Sequence, residues 1–147
     1  MTNLAPPLNI FSGAEIPLGA ALTNPTELAR QKGVLKQSYP LHYNGRRFPD
    51  AETAYQVSKQ VAPDRDEMMV EIIAAKFRQH PALAAEVEAR GGSEWLATCS
   101  HFTQARSEAA RAWEGAGLES RYIRNLVAGF RRFEAGLDTA LGQSTLF

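Results

Sequence analysis

The stretch from Tyr39 to Gln60 constrains the fold of this chain more than any other, because it joins a tight turn to an amphipathic helix. Asn44-Gly45 is a dipeptide that two-residue type I′ turns favour, since both central residues of such a turn have a positive φ. The sequence therefore predicts that Leu41 to Asn44 and Arg46 to Phe48 pair as short antiparallel strands, and that Pro49 ends the second strand.

A helix from about Ala51 to Val61 is predicted to follow, with Asp50 as its N-cap. At roughly 100° per residue, polar side chains fall along one side of this helix; they are Glu52, Tyr55, Gln56 and Lys59. The other side is expected to pack on the core; it carries Ala54, Val57 and Val61. The polar stripe is a candidate site, and the simpler explanation, a solvated helix face, stays open because such faces are common.

Size and composition predict one domain. The chain has 147 residues, of which 44% are hydrophobic, and this is enough for a hydrophobic core. We place that core at about residues 9–137 and a loose tail at residues 138–147. The 16 basic and 16 acidic residues balance, so the overall charge does not require a polyanionic partner, although a local basic patch could still bind nucleic acid.

The cysteine and histidine content gives no reason to expect a metal or a cofactor. Cys99 is the single cysteine, which excludes an intrachain disulfide, and the three histidines lack the spacing of a zinc site. The N-terminus lacks the basic and apolar pattern of a secretory signal, and no stretch approaches the ~20 apolar residues of a membrane span. We therefore expect a cytoplasmic protein with no membrane partner.

Helical periodicity recurs through the rest of the chain. Helices are predicted at Asp64 to His80, Pro81 to Arg90, Ser107 to Trp113, and from near Ser120 onward, and within residues 1–40 a helix is possible only between Thr26 and Lys32. The remainder of residues 1–40 is expected to be extended or looped, and residues 93–102 fit either a turn of helix or a strand. The predicted fold class is α+β, predominantly α-helical, with a short β-hairpin.

Three segments resemble the NADAR, or YbiA-like, domain of N-glycosidases. The hairpin with Phe48-Pro49 and then Glu52-x-x-Tyr55-Gln56-x-x-Lys59 is similar to the family's aromatic-Pro-x-x-Glu-x-x-Phe/Tyr-Gln-x-x-Lys element. The segment from Ala74 to Leu83 and the tripeptide Leu22-Thr23-Asn24 are similar to two further elements. The family's Asp-x-x-Trp-Gly element has its nearest equivalent in Trp113-Glu114-Gly115, without the Asp. The resemblance covers about residues 22–131 and implies a single compact domain of this family.

The resemblance implies a metal-independent hydrolase that needs no cofactor and cleaves a bond between a ribose C1′ and a nitrogen. Lys59 would attack C1′ as a neutral amine and form a Schiff base, and Glu52 would move protons or orient a hydroxyl. The implied substrate-binding residues are Asn24, Arg46, Arg47, Phe48, Tyr55, Gln56 and Trp113. Among these the two arginines suit phosphate oxygens, because the guanidinium fork matches their geometry.

Three functions remain open. The preferred one is the removal of ADP-ribose from guanine bases, either in a nucleotide or in ADP-ribosylated DNA or RNA. The second keeps the chemistry but acts on phosphoribosylamino-pyrimidine intermediates of riboflavin biosynthesis. The third is a non-catalytic module that binds ADP-ribose or a related nucleotide.

Overall fold

Helices account for most of the residues that the computed structural model describes, which are 4–144, with side chains described for 4–136. The helices are α1 (Pro17–Ala21), α2 (Thr26–Gln31), α3 (Ala51–Ser58), α4 (Arg65–Gln79), α5 (Pro81–Arg90), α6 (Gly92–Leu96), α7 (Glu108–Arg111) and α8 (Arg121–Ser144). The strands are β1 (Leu41–Tyr43), β2 (Arg46–Phe48), β3 (Ser100–His101) and β4 (Gly115–Ala116), paired as β1-β2 and β3-β4. The predicted α+β class, mostly helical with a short hairpin, is confirmed.

The β1-β2 hairpin forms where the turn dipeptide predicts it. Leu41 pairs with Phe48, and Tyr43 pairs with Arg46 next to the turn. The two turn residues have φ values of 51° and 75°, both in the left-handed region that a type I′ turn requires. The end of α4 supports the hairpin, because the Gln79 side chain bonds the backbone N–H and C=O of His42 at 2.7 and 2.8 Å.

The N-cap of α3 also holds a second helix. Asp50 is buried and accepts hydrogen bonds from the Thr53 backbone N–H at 2.9 Å and hydroxyl at 2.8 Å, which confirms it as the cap. Its other carboxylate oxygen accepts from the Glu27 backbone N–H at 3.1 Å, in the first turn of α2. A single carboxylate therefore fixes where α2 and α3 begin relative to each other.

The buried side of α3 differs from the prediction. The residues that face the core are Ala51, Ala54 and Tyr55, whereas Val57 is 40% exposed and Val61 is 87% exposed. The helix ends at Ser58, so Val61 lies in the turn beyond it. Tyr55 has the larger apolar ring and takes the core-facing position. The expectation that Val57 and Val61 pack on the core is wrong.

The core centres on the packing of α4 against α8. The two helices approach closely at Gly129, where a Cβ would overlap the side chain of Ile73. The predicted aromatic face of α8 is buried here, with Phe77 of α4 edge-on to Phe130 at 5.1 Å between ring centroids. This helix pair is the rigid support for the elements packed around it.

The ends of the chain depart from the predicted pattern. Pro17–Ala21 forms a helix within a segment predicted to be extended or looped, because Leu18 and the alanines that follow are buried in the core. Residues 93–102 combine both alternatives, α6 and then β3. The backbone of α8 continues to Ser144, past the predicted start of a loose tail at 138, and residues 145–147 lie outside the described residues. None of the described helices is both long and apolar enough to cross a membrane.

Candidate functional site

A cleft of about 590 Å³ collects most of the residues selected from the sequence. Six of the predicted site residues line it: Asn24, Glu52, Tyr55, Gln56, Lys59 and Trp113. One wall is the polar side of α3, and the others come from the chain before and within α2, from the start of α4, and from the segment around α7. The polar stripe of α3 therefore faces a concave surface and not open solvent alone.

The remaining three predicted residues lie elsewhere. Arg46 and Phe48 line a second cleft of about 620 Å³, formed by the hairpin, the end of α3 and the start of α4. The Arg46 guanidinium lies 5.3 Å from the centre of the Phe48 ring. Arg47 is exposed and lines neither cleft. The hairpin is thus not brought together with the other six residues, and its predicted contact with substrate phosphates gains no support from this arrangement.

The two charged side chains on the polar side of α3, Glu52 and Lys59, do not pair with each other. Gln56 Nε2 donates a hydrogen bond to Glu52 Oε1 at 2.7 Å, and Lys59 Nζ lies 5.7 Å from the Tyr55 ring centroid. No ion pair between Glu52 and Lys59 occurs among the described side chains. Glu52 is in the first turn and Lys59 is the C-cap, so each charge lies at the helix end whose dipole favours it.

Asn24 is held rigidly at the floor of the cleft. Its amide Nδ2 donates to Met69 Sδ at 3.0 Å, and its Oδ1 accepts from the Tyr122 hydroxyl at 3.1 Å. Its backbone carbonyl accepts from the backbone N–H groups of Glu52 at 3.2 Å and Thr26 at 2.9 Å. Asn24 is therefore tied directly to the start of α3.

The carbonyls that precede Asn24 are also satisfied by buried groups. The Tyr122 hydroxyl donates to Leu22 O at 2.6 Å. The Lys76 amine, on α4, donates to Ala21 O at 2.5 Å and to Thr23 O at 2.7 Å. These bonds leave the turn little freedom to rearrange, so Lys76 and Tyr122 position the Asn24 wall of the cleft.

Lys76 itself is enclosed in the core. Burial lowers the pKa of its amine to about 7, although the nearby Asp50 carboxylate acts in the opposite direction. A neutral amine keeps two N–H donors, which suffice for the two carbonyls that Lys76 bonds. The structural role is thus compatible with the uncharged form at neutral pH.

The free energy of unfolding of the wild-type protein should rise with pH relative to that of Lys76→Met. The amine titrates near 10.5 when exposed and near 7 when folded. Between these values the unfolded state binds more protons, so stability increases with pH. We expect the difference between the two proteins to change by about 1 kcal/mol per pH unit from pH 7 to 9, and little below pH 7.

Urea unfolding of both proteins at a series of pH values measures this difference. All other titrating groups are shared, so their contributions cancel in the comparison. Parallel pH curves for wild type and Lys76→Met would contradict a buried amine that loses its proton near neutral pH.

Trp113 is held against α8 and α3. Its ring is edge-to-face with Tyr55 at 5.8 Å between centroids, and the Arg121 guanidinium lies 3.9 Å from its centre. The Trp113 carbonyl accepts from Ser120 Oγ at 2.7 Å and from the Tyr122 backbone N–H at 3.2 Å. The indole is therefore fixed, although none of the residues of the adjacent α7 is buried.

The two tyrosines of the cleft are hydroxyl donors at neutral pH. Burial raises the pKa of Tyr55, while Arg65 and Arg121 act in the opposite direction. Burial raises the pKa of Tyr122 far more strongly, and the Glu52 carboxylate adds to this. The Tyr55 hydroxyl can thus donate to an oxygen or nitrogen atom of a ligand without carrying charge, whereas the Tyr122 hydrogen is already bonded to Leu22 O and Asn24 Oδ1.

The cleft is also lined by residues that the sequence did not indicate, and four of these have titratable side chains: Lys32, Arg65, His101 and Tyr122. Among the described residues of the lining, Lys32, Lys59 and Arg65 are cationic and Glu52 is the one carboxylate, so the cleft is locally positive in a chain of zero formal net charge. Tyr122 was assigned only to the core, and the other three come from segments without a distinguishing pattern. In residues 4–136, no cluster of His, Cys, Asp and Glu has the composition of a metal site.

Comparison of the chain with protein-family models, with curated proteins and with solved structures gives no match.

Proposed function

We propose that this chain is a YbiA-like N-glycosidase that removes ADP-ribose from guanine by hydrolysing the bond between ribose C1′ and the guanine nitrogen. The observation that carries the proposal is the common cleft: Glu52, Gln56 and Lys59 line it from one helix. The motif that resembles the NADAR family thus contributes a carboxylate, an amide and an amine to one cleft.

Size and charge support a nucleotide-like ligand. A volume of about 590 Å³ lies within the usual range of ligand pockets, ~300–1,000 Å³. Lys32, Lys59 and Arg65 supply more positive charge than Glu52 offsets, which suits an anionic ligand. ADP-ribose carries a pyrophosphate, whereas the riboflavin intermediates carry one phosphate. The cationic excess therefore favours the ADP-ribosyl substrate.

The chemistry divides among the residues of α3. Lys59 Nζ attacks C1′ as the neutral amine, and ring opening of the sugar then gives a Schiff base. Glu52 handles the proton that the departing guanine nitrogen takes up. Gln56 holds Glu52 through their 2.7 Å hydrogen bond and fixes the direction of the carboxylate.

The remaining walls orient the substrate. Asn24 and the Tyr55 hydroxyl offer hydrogen bonds to ribose hydroxyls, and Trp113 provides an aromatic surface for the base. Because hydrogen bonds and ring contacts fix Asn24 and Trp113, they bind without a large cost of ordering. Orienting the sugar in this way brings C1′ towards the amine of Lys59.

A product assay tests the proposal. Purified protein is incubated separately with a guanine-ADP-ribosylated oligonucleotide and with the phosphoribosylamino-pyrimidine, and the released sugar is followed by mass spectrometry. We expect release of ADP-ribose and an unmodified guanine from the oligonucleotide. Release of sugar only from the phosphoribosylamino-pyrimidine would mean that this compound, and not ADP-ribosylated guanine, is the substrate. Binding of ADP-ribose without release of sugar from either compound would reject the enzyme assignment.

A further inference from the structure

His101 stands out among the cleft residues because its surroundings fix the state of its ring. Its Nδ1 lies 2.6 Å from the carbonyl oxygen of Ile10. A carbonyl can only accept, so Nδ1 carries the hydrogen and, in a neutral ring, Nε2 keeps its lone pair. The protein has thus selected one tautomer of a buried imidazole.

The free nitrogen is open to the cleft. Nε2 has no hydrogen-bond partner among the described residues. It is not one of the side-chain N and O atoms that are both fully enclosed and without a partner, because Thr26 Oγ1 is the one such atom among the described residues. Nε2 is therefore reached by solvent, although the residue is only 8% exposed. The opening that reaches it is the cleft that His101 lines.

The ring is held in place from three sides. β3 pairs with β4, so His101 faces Gly115 across this short sheet. Ser100, the residue before it, bonds the backbone of Leu8 at 3.0 Å and of Ile10 at 2.8 Å. The ring of Tyr122 packs against the imidazole at 4.6 Å between centroids. An imidazole fixed in this way can accept a proton without reorganising its surroundings.

We infer that His101 is a catalytic residue of the proposed N-glycosidase, and that its Nε2 accepts the proton of the water that hydrolyses the covalent intermediate. The inference rests on the proposed function and extends it to a residue outside the family-like motifs. It separates the two proton-transfer roles, with Glu52 serving the leaving nitrogen and His101 serving the water.

The reaction proceeds through two covalent stages. In the first, Lys59 Nζ bonds to C1′ while the bond from C1′ to the guanine nitrogen breaks, and that nitrogen keeps the electron pair and takes a proton through Glu52. Nζ then gives a proton to O4′ and forms a second bond to C1′ as the C1′–O4′ bond breaks, which gives the ring-opened, protonated Schiff base. In the second stage, a water oxygen bonds to C1′, one C1′–Nζ electron pair returns to Nζ, and the water proton passes to His101 Nε2 and on to Nζ. O4′ then bonds to C1′ again and releases its proton to solvent, while the remaining C1′–Nζ bond breaks with its electron pair on Nζ. One water is consumed, and the enzyme returns to its starting state.

The surroundings of His101 keep the ring neutral. Burial lowers the pKa of the imidazole, while the hydrogen bond to Ile10 and the Glu114 carboxylate act in the opposite direction. Tyr122 of α8 packs its ring against the imidazole. The other titratable side chains in the described lining of the cleft are Lys32, Glu52, Tyr55, Lys59 and Arg65. The neutral ring is the form that serves as a base.

His101→Asn tests the inference, because asparagine can keep an N–H donor for Ile10 O but has no group in the position of Nε2. On the ADP-ribosylated oligonucleotide we expect kcat to fall by roughly 10²–10³-fold with KM changed less than about threefold. The acidic limb of the pH profile of kcat should disappear, and added imidazole should restore part of kcat to the variant but not change the wild type.

His80→Gln is the matched control. His80 also bonds a backbone carbonyl, that of Pro40, but it lies outside the cleft, so turnover should be unchanged. Thermal melting verifies that both variants are folded. If His101→Asn turns over the substrate as fast as the wild type, or if it loses kcat that added imidazole does not restore, the inference is overturned and the proposed function is left intact. If wild type releases no ADP-ribose, the proposed function fails and the inference fails with it.

Discussion

Replacing Lys59 by methionine will lower kcat for the release of ADP-ribose by on the order of 10³-fold or more, which is the size of effect seen when a covalent nucleophile is lost. Methionine keeps an apolar side chain of similar length, and only the contact of Nζ with the Tyr55 ring is lost. Lys59 is half-buried and forms no ion pair with a described carboxylate, so the fold should tolerate the change. Steady-state kinetics on the ADP-ribosylated oligonucleotide measure the loss.

Lys32→Met is the informative comparison, because Lys32 is a second lysine of the same cleft. Its amine bonds Ser12 Oγ at 2.6 Å and would contact phosphate, so its loss should raise KM several-fold while kcat stays within about twofold of wild type. Equal kinetic defects in the two variants would mean that Lys59 contributes only charge to binding. That result would reject Lys59 as the nucleophile.

Glu52→Gln should reduce kcat by roughly 10²–10⁴-fold, the usual range for loss of a general acid or base. The substitution is nearly isosteric, and a glutamine oxygen can still accept the hydrogen bond from Gln56 Nε2. Stability should therefore change little, and the rate should fall because an amide cannot carry the proton. The kinetic assay and a urea unfolding curve together separate the two effects.

Glu108→Gln provides the control for this variant. Glu108 is an exposed carboxylate at the start of α7 that does not line the cleft. Its substitution removes the same charge from the neighbourhood without touching the proposed proton path, so turnover should be that of the wild type. Full activity of Glu52→Gln would show that the carboxylate serves only to hold Gln56.

The local features of the fold could be predicted because they depend on a few neighbouring residues. The Asn44-Gly45 turn, the Asp50 cap and the boundary between α4 and α5 each follow from the residue types within about one turn of helix. The orientation of α3 could not be predicted in this way. Val57 and Tyr55 compete for the core-facing position, and only the packing partners of the folded chain decide in favour of Tyr55.

Only part of the candidate site could be predicted from the sequence, for a similar reason. Residues of α3 belong to one periodic pattern, so their common direction follows from helical geometry. The rest of the lining depends on long-range contacts, such as the hydrogen bond from Tyr122 to Asn24 and the sheet that holds His101. No local pattern marks Lys32, Arg65 or His101. Tyr122 falls on the apolar face of α8, so the sequence pattern assigns it to the core and does not indicate that it lines the cleft.

The hairpin illustrates the opposite error. Its arginines are adjacent in sequence to the α3 motif, and adjacency suggested a shared role in phosphate binding. The structure separates the hairpin arginines from the α3 motif. Asp50, as the N-cap, fixes how the chain enters α3, and the hairpin then lies beside the second cleft. Arg46 and Arg47 therefore lie outside the cleft that the α3 motif lines, although they are close to that motif in the sequence.

Borohydride trapping during turnover tests the central claim most directly, because it asks whether an amine of α3 reaches ribose C1′. Wild-type protein mixed with the ADP-ribosylated oligonucleotide and sodium borohydride should gain the mass of one reduced ADP-ribosyl group. Peptide mapping should locate that group on Lys59, and Lys59→Met should gain none. Active turnover without a trapped adduct, or an adduct on Lys32 in its place, would contradict the account.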